Sequence, residues 1–156
     1  MPDRSELESM ISSDLRALSA VSEEIGREFG AQHDLRPNDF RALLLIMVAD
    51  VEGRPLTAGE LGTQLGLSSA AMTYLVERMI ESGHIRREKD SADRRKVILR
   101  YDEHGMKVAR SFFGPLGART SSALAGTSDA DLDAAHRVFG VLIDAMRIHH
   151  YELRSN

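Results

Sequence analysis

A mainly α-helical fold carrying one small β-hairpin follows from three features of this 156-residue chain. Apolar residues recur every three or four positions at both ends of the chain and through much of its middle, the period of a helix with one buried face. Helix start and stop signals stand between these segments, among them Thr57 with Glu60 three residues on, and Gly66 shortly before Ser68. Only residues 85–89 and 96–101 have strand character; the second stretch is β-branched and apolar, and the two flank a turn of Asp90, Ser91, Ala92 and Asp93.

The first helix is expected from Leu7, Ile11, Leu15, Leu18, Val21, Ile25 and Phe29, with Gly30 as its stop. An apolar stripe of that length at the end of a chain needs a partner to cover it. Pro37 opens the second helix at its first position, where a missing N–H costs nothing. Residues 40–49 are apolar on almost every side, so this helix is expected to be central, and Glu52-Gly53-Arg54-Pro55 ends it. Thr57 caps a short third helix with Leu61 and Leu65 on one face. Beyond Gly66-Leu67, Ser68 caps a fourth helix over residues 69–81. Its buried stripe is Met72, Leu75, Val76 and Met79; its outer face carries Ala70, Thr73, Tyr74, Glu77 and, to one side, Arg78. Ser82-Gly83 closes it, and the hairpin follows. Asp102 caps a fifth helix expected to bury Met106, Ala109, Phe112, Phe113 and Leu116, to bend at Gly114-Pro115 and to continue to Leu124. After Gly126-Thr127-Ser128, a last helix over residues 129–152 sets Leu132, Ala135, Phe139, Leu142 and Met146 on one stripe that continues to Leu153.

Composition narrows the function. Hydrophobic residues at 42% and charged residues at 28% exclude global disorder. The longest apolar run, residues 42–49, is far too short for a membrane span, and the first residues lead into no signal-type apolar core. A cytoplasmic protein with no membrane partner is expected. The absence of cysteine excludes disulfides, thiolate metal sites and cysteine nucleophiles. The net charge of −4 hides an uneven distribution. Residues 1–28 hold three basic and seven acidic side chains, whereas residues 84–100 hold seven basic (Arg86, Arg87, Lys89, Arg94, Arg95, Lys96, Arg100) against three acidic (Glu88, Asp90, Asp93). Local potential, not the total, steers a polyanion to a surface.

Two short helices joined by a glycine-containing turn form a helix-turn-helix, and a basic hairpin directly after it makes the unit a winged helix. A helix that enters the major groove must bury one face and present small or hydrogen-bonding residues near its N-terminus on the other. Ser69, Ala70, Thr73 and Tyr74 satisfy that requirement. The N–H groups and dipole of the same helix end favour a phosphate.

Three stretches, Leu56-Thr57-Ala58-Gly59-Glu60-Leu61, Leu65-Gly66-Leu67-Ser68 and Val76-Glu77-Arg78-Met79-Ile80-Glu81-Ser82-Gly83, resemble the MarR (multiple antibiotic resistance regulator) family of winged-helix repressors. Asp90-Ser91-Ala92-Asp93-Arg94-Arg95-Lys96-Val97 is similar to that family's wing motif, and the resemblance spans essentially the whole chain. It implies a sequence-specific regulator of transcription that binds double-stranded DNA at a pseudo-palindromic operator. The same resemblance implies a homodimeric repressor, released by a small-molecule effector. Residues 1–35 and 106–156 then form the dimerisation region, and residues 36–105 the DNA-binding domain. Arg95 resembles the arginine that enters the minor groove, and Asp93 the carboxylate that orients it, with Arg94 and Lys96 beside them. Ser69, Ala70, Thr73 and Tyr74 fall on the base-reading face, and Ser68 and Arg78 suit phosphate contact. His33, Phe40, Arg41 and Phe112 are the candidates for lining an effector crevice. The chain departs from the family pattern at His84, where a leucine usually opens the wing, at Tyr101-Asp102 in place of Leu-Thr, and at Ala70 and Tyr74, which replace other possible readers.

Other chemistries find little support. No two of the six histidines have the helical spacing of a metal face, so no metal or cofactor is expected. There is no Gly-x-Ser-x-Gly, no glycine-rich phosphate loop and no paired histidine–carboxylate motif, so an enzyme is not expected. The alternative is a winged-helix module for protein–protein interaction, with a merely solvated wing and no DNA function.

Overall fold

The computed structural model describes residues 1–155. Six helices and one hairpin follow in the order α1 (Arg4–Gln32), α2 (Pro37–Val51), α3 (Ala58–Leu65), α4 (Ser69–Glu81), β1 (Ile85–Lys89), β2 (Val97–Tyr101), α5 (Glu103–Leu124) and α6 (Asp129–Ser155). The chain divides into two compact units, Met1–Gly114 and a second that begins at Pro115. Among the described residues no helix is long and apolar enough to cross a membrane.

In the first unit, α1 starts at a capping box in which Asp3 and Glu6 exchange side-chain bonds to each other's backbone N–H. Its stripe of Leu7, Ile11, Leu18, Val21 and Ile25 is exposed. The helix does not stop at Gly30 as expected. It continues to Gln32, because the chain folds back there, with the N–H of Leu35 donating to the Gly30 carbonyl at 2.9 Å. α2 is the central helix, with Pro37 in its first turn and Ala42, Leu43, Ile46 and Ala49 buried. Around it Leu56, Leu61, Leu65, Met72, Leu75, Val76, Met79, Ile85 and Leu99 complete one core.

Thr57 and Glu60 form the expected box at the start of α3, with Thr57 N–H donating to Glu60 Oε2 at 2.8 Å. Gly66 ends that helix at φ +69°, the left-handed region that glycine adopts without a side-chain clash. This turn lets Ser68 cap α4, its Oγ accepting from the N–H of Ala71 at 3.2 Å. Strands β1 and β2 pair antiparallel with Ile85 opposite Tyr101 and Lys89 opposite Val97. The far edge of β2 is tied to the start of the helix-turn-helix, since the N–H of Leu99 donates to the Leu56 carbonyl at 2.8 Å.

The buried face of α5 differs from the expected one. Gly105, Val108 and Ala109 are buried and Phe112 is half-buried, while Met106, Phe113 and Leu116 are exposed. The cause is the close approach at Gly105, where a Cβ would stand 2.0 Å from the His84 carbonyl oxygen, so this helix seats its glycine on the wing's first residue. α5 runs unbroken through Pro115. In the second unit, Ser128 caps α6, its Oγ accepting from the N–H of Asp131 at 3.2 Å and donating to Asp131 Oδ2 at 2.6 Å. No residue of α6 is buried.

Candidate nucleic-acid interface

The outer face of α4 follows from its sequence. Met72, Leu75, Val76 and Met79 turn inward at helical spacing, which leaves Ser69, Ala70, Thr73, Tyr74 and Glu77 exposed on the opposite side. Thr73 Oγ1 donates to the Ser69 carbonyl at 2.9 Å. Tyr74 is 60% exposed, and the Arg78 guanidinium lies 5.7 Å from its ring centre.

Arg78 is not presented to solvent as a phosphate ligand would be. Its two terminal nitrogens grip Asp39 of α2, Nη1 donating to Oδ2 at 2.7 Å and Nη2 to Oδ1. Asp39 is buried, and the pairing holds Arg78 in its charged form. At the other edge of the helix, Glu77 accepts from Arg87 of β1 at 2.6 Å, a bond that joins α4 to the wing.

The wing tip is shaped by its own side chains. Asp90 Oδ1 accepts from the Ala92 N–H at 3.0 Å, a local turn of the kind aspartate favours. Asp93 Oδ1 accepts from both the backbone N–H of Arg95 at 3.1 Å and its Nε at 3.2 Å. These bonds, the side-chain one first, hold the Asp93 carboxyl below the usual carboxylate range. Arg94, Arg95 and Lys96 are exposed. At the base, Arg86 donates to the Tyr101 carbonyl and pairs with Glu88 at 2.9 Å, and Arg100 pairs with Asp50 of α2. The cations nearest the core are therefore spent on holding the hairpin, and those at the tip are left toward solvent.

A second feature is a narrow aromatic crevice, open to solvent, lined by Phe29, Phe40, Tyr101, Phe112 and Phe113 with aliphatic neighbours. Phe29 stacks on His33 at 3.9 Å between ring centres and meets Phe112 edge-on at 4.9 Å. Of the four candidates for this role, Phe40 and Phe112 line the crevice, His33 backs it through Phe29, and Arg41 is exposed and outside the lining. The buried Tyr101 hydroxyl donates to the Leu43 carbonyl, and burial raises it above the usual phenol range. Among the described residues no group of three or more potential ligands could hold a metal ion.

Sequence reasoning missed Asp39, Glu77 and Arg87 as organisers of the interface. Asp39 carried one signal, its place at the third position of α2 where it accepts from the Arg36 N–H at 3.1 Å. Its partner in α4 had none.

Three helices followed by an antiparallel hairpin, with the third helix exposed, define a winged helix-turn-helix protein. The family description "MarR family" matches residues 33–96. Among curated proteins, the chain is 35% identical over 95 residues to the uncharacterized HTH-type transcriptional regulator YcgE of Bacillus subtilis strain 168. That match covers 61% of this chain and 62% of YcgE, so the chain spans about three-fifths of the relative's length. It is 33% identical over 92 residues to the HTH-type transcriptional regulator TtmR of Methylorubrum extorquens, covering 57% of this chain and 45% of TtmR. Its fold is that of a MarR family protein from Bacillus stearothermophilus, with a TM-score of 0.64 at 24% identity over 94% of this chain and 99% of the other. A mutant of MepR from a multidrug-resistant S. aureus isolate superposes with a TM-score of 0.68 at 14% identity, over 87% and 96% of the two chains. Residues 33–96 thus match the MarR family, and the chain has the fold of the MarR family proteins it superposes on.

Proposed function

We propose that this protein is a transcriptional regulator that binds double-stranded DNA in a sequence-specific way, as a homodimeric repressor released by a small-molecule effector. The observation that carries the reading is the pairing of an exposed, small-residue face on α4 with a wing tip whose arginine is oriented by Asp93. A helix so presented suits a major groove, and a preoriented cation beside it suits the adjacent minor groove. A relative of the same fold, a MepR mutant with a TM-score of 0.52 at 14% identity, has been solved bound to an oligodeoxyribonucleotide, which supports a DNA partner here.

The exposed apolar residues along α1 and along α6 support assembly into a dimer. Two copies related by a two-fold axis present two reading helices to a pseudo-palindromic site. The aromatic crevice supports an apolar effector, and Phe40 of its lining is adjacent to Asp39, which holds α4. Such a ligand acts by favouring a spacing of the reading helices that misses the operator.

The test is enrichment of duplex fragments from the source genome by the full chain, followed by fluorescence anisotropy against a scrambled duplex. Selective binding that weakens steeply with salt is expected. Equal, weak binding to all sequences, together with a heteromeric protein partner, would favour the interaction module instead.

A further inference from the structure

The chemistry of the exposed face of α4 limits what it can read, an inference that rests on the major-groove role proposed above. We propose that α4 selects its half-site chiefly through apolar contact with the 5-methyl groups of thymine, not through paired hydrogen bonds to guanine or adenine. In the major groove, arginine or lysine marks guanine, asparagine or glutamine marks adenine, and a carboxylate accepts from cytosine, while alanine and the threonine methyl meet the thymine methyl. The outer face of α4 consists of Ser69, Ala70, Ala71, Thr73, Tyr74 and Glu77, and it contains none of the four residues that make two-pronged bonds to purines.

The polar groups that could substitute for them are already engaged. Arg78, the only guanidinium of the helix, holds Asp39 with both terminal nitrogens. The Glu77 carboxylate accepts from Arg87. The Ser68 hydroxyl caps the Ala71 N–H, and the Thr73 hydroxyl donates to the Ser69 carbonyl, which leaves the Thr73 γ-methyl as that side chain's reading group. What remains is a row of methyl groups from Ala70, Ala71 and Thr73 beside the Tyr74 ring, with the single hydroxyls of Ser69 and Tyr74. A lone hydroxyl pairs with donors and acceptors alike and discriminates weakly.

The thymine methyl lies in the major groove, so its removal tests α4 and leaves the minor-groove contact of the wing untouched. The full chain is first used to select duplexes from a random library. Each thymine of a selected duplex is then replaced by deoxyuridine, and binding is followed by anisotropy. Affinity is expected to fall about fourfold for each contacted thymine, the effect of one buried methyl-sized group. Thr73→Ser keeps the hydroxyl and its bond to Ser69 but loses the methyl; it is expected to show the same fall and to become insensitive to deoxyuridine at one position. Thr73→Val keeps a methyl and loses the hydroxyl, and is expected to lose less than Thr73→Ser and to stay sensitive to deoxyuridine at the position where Thr73→Ser does not. Unchanged affinity with deoxyuridine at every thymine, while Arg95→Ala still weakens binding, would overturn this inference and leave the DNA-binding role standing. A loss with Thr73→Val equal to that with Thr73→Ser would also overturn it. If no duplex is enriched, both readings fall.

Discussion

Arg78 and Asp39, 39 residues apart, form a two-pronged ion pair that fastens the exposed helix α4 to the central helix α2. Their environments are unequal: the Asp39 side chain is 2% exposed and that of Arg78 28%. The carboxylate depends on its partner, whereas the guanidinium retains some water. The same guanidinium lies 5.7 Å from the centre of the Tyr74 ring, so the cation that seats the helix also lies against its largest exposed side chain.

Removing the two partners should therefore have unequal effects. Arg78→Ala strands a buried carboxylate and is expected to lower stability by about 3 kcal/mol. Asp39→Asn keeps an acceptor for the Arg36 N–H and leaves a guanidinium that water reaches, so its cost is smaller. Urea denaturation midpoints check the order; a larger loss for Asp39→Asn would show that Asp39 matters more as a cap than as a counter-ion.

At the wing tip, Arg95→Ala is expected to lose about 1–3 kcal/mol of DNA affinity and to reduce the salt slope, with no change in assembly state. Anisotropy at several salt concentrations measures the first two and sedimentation the third. Asp93→Asn should weaken binding less, because it loosens the arginine without removing it. Undiminished affinity in Arg95→Ala would show that the tip does not touch DNA.

Stability is expected to depend on pH through His84. This residue is buried, its Nδ1 lies 2.6 Å from Ser82 Oγ, and among the described residues its Nε2 has no hydrogen-bond partner. Burial first, then the neighbouring His104 and Arg78, lowers its pKa from the ordinary 6.5, against the opposing pull of Asp39. The unfolded chain then binds the proton more readily than the folded one. The contribution is fully present above about pH 6.5 and is lost as pH falls from there through the lower folded value. Melting temperature should fall on acidification across that window, and His84→Leu should flatten the dependence while costing little at neutral pH. An unaltered pH profile in that variant would place the sensitivity elsewhere.

Gly105→Ala places a methyl 2.0 Å from a backbone oxygen of the wing's first residue, which cannot rotate away. About 3 kcal/mol of destabilisation is expected from the forced separation of α5 and β1. Thermal melting checks it; a stability near that of the native chain would mean that α5 is free to shift.

Much of the fold was legible in the residues themselves. The Thr57–Glu60 box, the Ser68 cap, the glycine turn at 66 and the Asp93–Arg95 arrangement all join groups no more than three residues apart. Less was legible in the face of α5, because Met106, Phe113 and Leu116 share the apolar period with Val108 and Phe112. The close approach at Gly105, not hydrophobicity, decided which row turns inward. The role of Arg78 was likewise hidden. On α4 alone it lies beside the reading face, and only the arrival of Asp39 from another helix withdraws it.

The sequence by itself determined the order of the elements, their caps and the basic hairpin, since each depends on contacts within about one helical turn or one tight turn. The tertiary structure alone decided which cations are committed and which remain outward, which row of α5 is buried, and where Phe29, Phe40 and Phe112 gather into a crevice. Those outcomes depend on partners brought together across tens of residues, and side-chain spacing along a chain carries no record of the distance between helices.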